Sequence, residues 1–144
     1  MTTLSLDQAV KITEAALKKG HADGMRPLTV CVLDSGGHLV AFMREDESGI
    51  LRPEIAIGKA YGALGFGLGS RELKDKNPQF LAAVGAASGG KMIPAPGGVL
   101  ITDPETGAVI GAVGISGDVS DNDEAAAGAG IEAAGFKAEP GGGS

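Results

Sequence analysis

Tryptophan is absent from the 144 residues, and the only other aromatic side chains are one tyrosine and four phenylalanines. A surface that stacks bases or sugars has almost nothing to be built from. Cysteine occurs once, as Cys31, so no disulfide can close within the chain, which fits a reducing compartment. Histidine occurs twice, at His21 and His38, and imidazole chemistry is confined to those two places. Basic residues are outnumbered, with 12 Lys and Arg against 18 Asp and Glu, for a net charge of −6. Nucleic acid and anionic membrane each demand a basic face, so neither is expected as a partner. No apolar run approaches the roughly 20 residues that span a bilayer. Residues 1–7 are polar and lack the basic-then-apolar order of an export leader, so a soluble, cytoplasmic protein is expected.

What the chain has in excess is glycine: 25 residues, with no G-X-Y period that would make it collagen-like. Valine, isoleucine and leucine are plentiful enough to argue for a packed core. Ser5 and Gln8 have the spacing of a capping box, and Leu6, Ala9, Val10, Thr13, Ala16 and Leu17 follow at helical intervals until Gly20 can stop the helix. Residues 28–34 read as a buried strand, Ser35-Gly36-Gly37 as a turn, and 38–44 as the returning strand of a hairpin. After a polar loop over 45–49, a helix is expected over 53–68. The glycines at 58, 62, 65, 67 and 69 each cost up to about 1 kcal/mol against alanine. Such a helix forms only when packed, and it lets another backbone come very close. Residues 71–76 add a turn, and Asn77-Pro78 reads as an N-cap with proline at the first position of a helix over 79–87.

Residues 88–98 form a long irregular loop, and 99–102 with 108–116 read as a second hairpin around 103–107. Asp121-Asn122-Asp123-Glu124 caps a last, alanine-rich helix ending near Phe136, and 138–144 read as a flexible end. The order is that of an α+β fold, a layered α/β/α sandwich on a largely antiparallel sheet, with 1–137 as a single domain.

The chemistry-bearing motifs are sparse. Gly65-Phe66-Gly67-Leu68-Gly69 lies at the end of a helix rather than between a strand and a helix, which rejects a dinucleotide fingerprint. Gly114-Ile115-Ser116-Gly117-Asp118 misses the G-x-S-x-G elbow by its last residue. Cys31 in mid-strand reads as a small core residue. The run Asp118, Asp121, Asp123, Glu124 lacks the alternation of a calcium loop and reads as a helix N-terminus. Lys59 and Tyr61 interrupt an otherwise small and apolar helix. Lys59 either snorkels to water or faces a pocket and binds a carboxylate. His21 and Met25 flank the loop after the first helix, and each is of a type that can ligate a metal.

In order along the chain stand Val32-Leu33-Asp34-Ser35-Gly36-Gly37-His38-Leu39, Met43-Arg44, Ile55-Ala56-Ile57-Gly58-Lys59-Ala60 and Gly97-Gly98-Val99. Ile110-Gly111-Ala112-Val113-Gly114-Ile115-Ser116-Gly117 and then Asp123-Glu124 complete the set. Taken together these segments resemble the GlcG/HbpS-like family from about residue 4 to 136. The resemblance implies a profilin-like fold, assembly as homo-oligomers from dimers to octamers, and a small-molecule ligand, with haem or another tetrapyrrole as the best single guess. It also implies a pocket between the helix bearing Lys59 and Tyr61, the 89–98 loop with Gly97 and Gly98, and the turn from Gly114 to Gly117. In that picture His21 or Met25 supplies the iron ligand and Lys59 or Arg44 pairs with a propionate. The rival reading is an enzyme on a small hydroxy or keto acid. Lys59 or Arg44 would hold the carboxylate, and Asp34, Asp123 or Glu124 would do acid–base work.

Overall fold

Ser5 opens the first helix reciprocally. Its hydroxyl accepts from the Gln8 backbone N–H at 3.1 Å, and the Gln8 side chain accepts from the Ser5 N–H at 2.9 Å. The helix that follows, α1, runs over Leu6–Ala22. The structure is a computed structural model describing residues 3–142. Strands β1 (Thr29–Asp34) and β2 (Leu39–Arg44) form the expected hairpin. Asp34 fastens its turn by accepting from the N–H groups of Gly36 and His38, both at 3.0 Å. Helix α2 covers Arg52–Phe66 and is followed by a 3-10 helix over Ser70–Asp75. Helix α3 covers Pro78–Ala87, its first turn capped by Asn77 Oδ1 accepting from Gln79 and Phe80. Then come β3 (Gly98–Thr102), β4 (Val109–Ser116), α4 (Ser120–Ala133) and β5 (Lys137–Glu139).

The five strands lie in the order β2-β1-β4-β3-β5, and every neighbouring pair is antiparallel. Alternation along the strands divides the core in two. Val30, Val32, Val99, Ile101, Val113 and Ile115 face α1 and α4, where they meet Ile12, Ala16, Ala127 and Ile131. Cys31, Leu33, Leu100 and Ala112 face α2 and meet Ala56, Ala60 and Ala63. The result is the α+β sandwich expected from the order of elements, with helices on both faces of an antiparallel sheet. The small side chains of α2 let it lie directly on β4, and a Cβ at Gly114 would collide with the Ala56 carbonyl oxygen.

Two details at the C-terminal end differ from expectation. Helix α4 stops at Ala133, because Gly135 takes a left-handed φ of 88° that turns the chain out of the helix. The flexible end read from Ala138 onward is corrected in part. Ala138 and Glu139 belong to β5 and pair with Ile101 and Leu100, and Thr102 Oγ1 donates to the Lys137 carbonyl at 3.0 Å. The polar composition suggested a free tail, but an unpaired β3 edge offers backbone partners that no local pattern reveals. Residues 143–144 of that tail lie outside the described residues. Among the described residues no helix is long and apolar enough to cross a membrane.

Candidate functional site

At one end of the sheet, two segments of the chain meet around a cleft of about 620 Å3 lined by His21, Met25, Pro27, Arg44, Glu45 and Asp46. The size falls within the range usual for small-molecule and cofactor sites. His21 lies in the last turn of α1, and Met25 follows in the link to β1, whose backbone is tied down where the Arg26 N–H donates to Asp118 at 2.8 Å. Arg44 ends β2, and its guanidinium donates to the Ser48 carbonyl at 2.8 Å. Ser48 is itself buried, with its hydroxyl 2.8 Å from that of Thr29. This loop is therefore anchored at both ends.

Glu45 organises the cleft. One of its oxygens accepts from the Leu28 backbone N–H at 2.7 Å, and the other meets His21 Nε2. A carboxylate on one ring nitrogen fixes the orientation of the imidazole, which is how metal-bound histidines are commonly held. With Nε2 on Glu45, Nδ1 is the nitrogen available to a ligand, and the ring is 73% exposed. The cleft thus offers an oriented imidazole, a thioether and a guanidinium, the donor types that hold a haem iron and its propionates. Glu45 and Asp46 were not among the residues singled out from the sequence. Their position directly after the arginine-bearing strand end was the available signal.

The other expected site residues gather elsewhere. Lys59, from the middle of α2, lies with Asp123 of α4 around the end of β4. Its ammonium donates to the Ile115 carbonyl at 2.9 Å and to Asp123 at 3.2 Å, with the two side chains 3% and 1% exposed. The second Asp123 oxygen accepts from the Asp118 N–H at 2.9 Å. Burial lowers the lysine pKa and raises that of Asp123, and in each case the partner's charge opposes the shift. Among the described residues no buried polar side-chain atom is left unpartnered. A pocket was expected here, between α2, the 89–98 loop and the Gly114–Gly117 turn, but the protein's own backbone fills it. Gly97 sits against the Lys59 ammonium, Gly98 against the Lys59 carbonyl and Gly117 against the Pro27 carbonyl. Tyr61 lies apart from these residues, on α2 beside the β1–β2 turn.

The candidate acid–base residues also have structural partners. Asp34 holds its hairpin turn and His38, whose Nδ1 is 3.1 Å away. Glu124 is clamped by Arg71 at 2.8 and 3.1 Å, and the same guanidinium reaches Asp121 at 2.8 Å. Cys31 is fully buried in β1, and burial pushes its thiol pKa up to about 12. Among the described residues no group of three or more His, Cys, Asp or Glu could hold a metal ion.

A family model described as "Haem degrading protein HbpS-like" matches residues 4–132. Among solved structures, PduOC in complex with haem is 25% identical, with a TM-score of 0.83 over 94% of this chain and 97% of its own. The Klebsiella pneumoniae protein ORFY, of family DUF336, is 25% identical with a TM-score of 0.83, covering 93% and 92%. A doubly substituted HbpS from Streptomyces reticuli is 28% identical with a TM-score of 0.77, covering 92% and 87%. No curated protein matches the chain.

Proposed function

The chain belongs to the HbpS-like family, and on that premise we propose that it binds haem or a related tetrapyrrole in the cleft between the end of α1 and the end of β2. The observation that carries this reading is the convergence of His21, Met25 and Arg44 on one cleft of about 620 Å3. His21 and Met25 come from one short stretch at the end of α1, and folding brings Arg44 of β2 to them. His21, held through Nε2 by Glu45, is the iron ligand in this reading, with Met25 as the alternative donor. Arg44 pairs with a propionate, and the Lys59 role expected from the sequence passes to it because Lys59 is already paired inside. The solved complex of PduOC with haem, similar over nearly its whole length, supports the class of ligand. Haem, when bound, supplies the iron and its redox chemistry; the chain supplies the donor, the orienting carboxylate and the cation.

A haem titration followed at the Soret band tests this directly. A saturable shift is expected at micromolar haem, and His21→Ala should weaken binding by about tenfold or more. Glu45→Gln should weaken it less while leaving the fold intact. No saturable shift, or full affinity in both His21→Ala and Met25→Ala, would overturn the reading.

We also read the chain as a homo-oligomer. Strand β2 is an open sheet edge carrying exposed Leu39, Phe42 and Met43, and the nearby Ile50 and Leu51 are 92% and 66% exposed.

A further inference from the structure

Three of the five aromatic side chains gather away from the cleft just described. Tyr61 and Phe66 of α2 and Phe80 of α3 flank an apolar groove of about 270 Å3, with Gly62, Gly65 and Val84 between them. Phe66 and Phe80 meet edge to face, their ring centroids 6.3 Å apart. A second hollow of about 160 Å3 continues the groove past Tyr61 to the β1–β2 turn, sharing Tyr61 and Gly65. Helix α3 carries no charged residue, only its Leu81 is buried, and Phe80 remains 55% exposed. A helix that is apolar on its outer side as well is ordinarily covered by something.

One cation, Lys91, lines the groove, and a second, Lys76, stands over one of its rings. Lys91 Nζ stands 5.1 Å from the centre of the Tyr61 ring, and Lys76 Nζ stands 5.3 Å from that of Phe66. Neither lysine makes an ion pair among the described residues, although acids outnumber bases 18 to 12 in the chain. Lys91 is exposed and Lys76 partly so, and an ammonium near water is held only weakly over a ring, so each can turn to an anion beside the aromatic rings. Among the described residues no arginine lines the groove, so it lacks the planar fork that suits a phosphate.

We infer that the groove between α2 and α3 is a second ligand site, for a small organic acid with an apolar tail. The tail lies over Phe66, Phe80 and Val84, and the carboxylate meets Lys91, with Lys76 as the second cation. The two sites are separate. The groove reaches the sheet at the turn after β1, and the cleft lies at the residues before it. The six residues of β1 span about 20 Å at about 3.3 Å each.

Tyr61 is the only tyrosine in a chain without tryptophan, so the intrinsic fluorescence of the protein reports on the groove. Titration with octanoate should change that emission saturably. Affinity should rise about fourfold per methylene along the series from butanoate to octanoate. Lys91→Met and Lys76→Met should each weaken octanoate binding by about threefold or more. Phe80→Ala, at an exposed position, should weaken it by about tenfold while circular dichroism stays unchanged. Octylammonium, with the same tail and opposite charge, should not saturate. An unchanged emission, equal binding of octylammonium, or lysine variants with full affinity would overturn the inference. Octanoate that displaces haem in a Soret titration would overturn it too, because it would merge the two sites.

Discussion

Lys59 and Asp123 form the one ion pair among the described residues in which both side chains are buried. Two opposite charges out of water stabilise each other only while both are present and their remaining hydrogen bonds are made, as they are here with the Ile115 carbonyl and the Asp118 N–H. Lys59→Met leaves a buried carboxylate unpaired and should cost about 3–5 kcal/mol in urea denaturation. The double variant Lys59→Met with Asp123→Leu should recover much of that loss. A double variant as unstable as the single one would show that the lysine contributes something other than pairing. The lysine stood out in the sequence because it interrupts a small, apolar helix, yet its partner could not be read there. Asp123 lies 64 positions away, and only the passage of β4 between α2 and α4 joins them. His21 was legible as a metal-ligand type, whereas the Glu45 that orients it comes from 24 positions further on.

At the scale of elements, two aspartates act as fasteners. The His38 backbone N–H holds the Asp34 carboxyl below its ordinary 3.8, and the Arg26 N–H does the same for Asp118. A carboxyl whose pKa is lower in the folded state stabilises the fold while ionised, above 3.8, and loses that contribution as pH falls through its folded value. The stability difference between the native chain and Asp34→Asn should therefore be constant at neutral pH and shrink below 3.8 in thermal melts. A difference unchanged down to acid-induced unfolding would contradict this. Strand β5 makes a prediction of another kind. Truncation after Phe136 removes the partner of Leu100, Ile101 and Thr102 and exposes the β3 edge. It should lower stability by roughly 1–3 kcal/mol and promote association, read by denaturation and light scattering. Hairpins and helices with local caps were legible, because Ser5, Asn77 and Asp34 fasten groups within four residues of themselves. Strand β5 was not, because three residues pair only when a distant edge is already in place.

At the scale of the whole molecule, an apolar sheet edge stands beside the two hollows argued above. If β2 with Ile50 and Leu51 is covered by another copy, the native protein should run as an oligomer in light scattering. Phe42→Glu with Leu51→Glu should then reduce it toward the mass of one chain while leaving circular dichroism unchanged. A monomeric native protein would overturn the assembly reading, though not the haem reading, since His21, Met25 and Arg44 all come from one chain.

Local chemistry was enough to set the class of fold. Alternation, capping and turn residues act over a few positions, so the sequence by itself determined an antiparallel α+β sandwich, and its ordered motifs pointed to the family. It also determined that α2 would pack closely, since a helix so rich in glycine has no other support. What α2 packs against was decided only in three dimensions. The backbone of β4 and the Lys59–Asp123 pair occupy the space where glycines alone suggested a ligand. The cleft arose instead where α1, its following link and β2 end together, and the aromatic groove where α3 lies beside α2. Those meetings depend on side chains distant in sequence, and no local pattern encodes them.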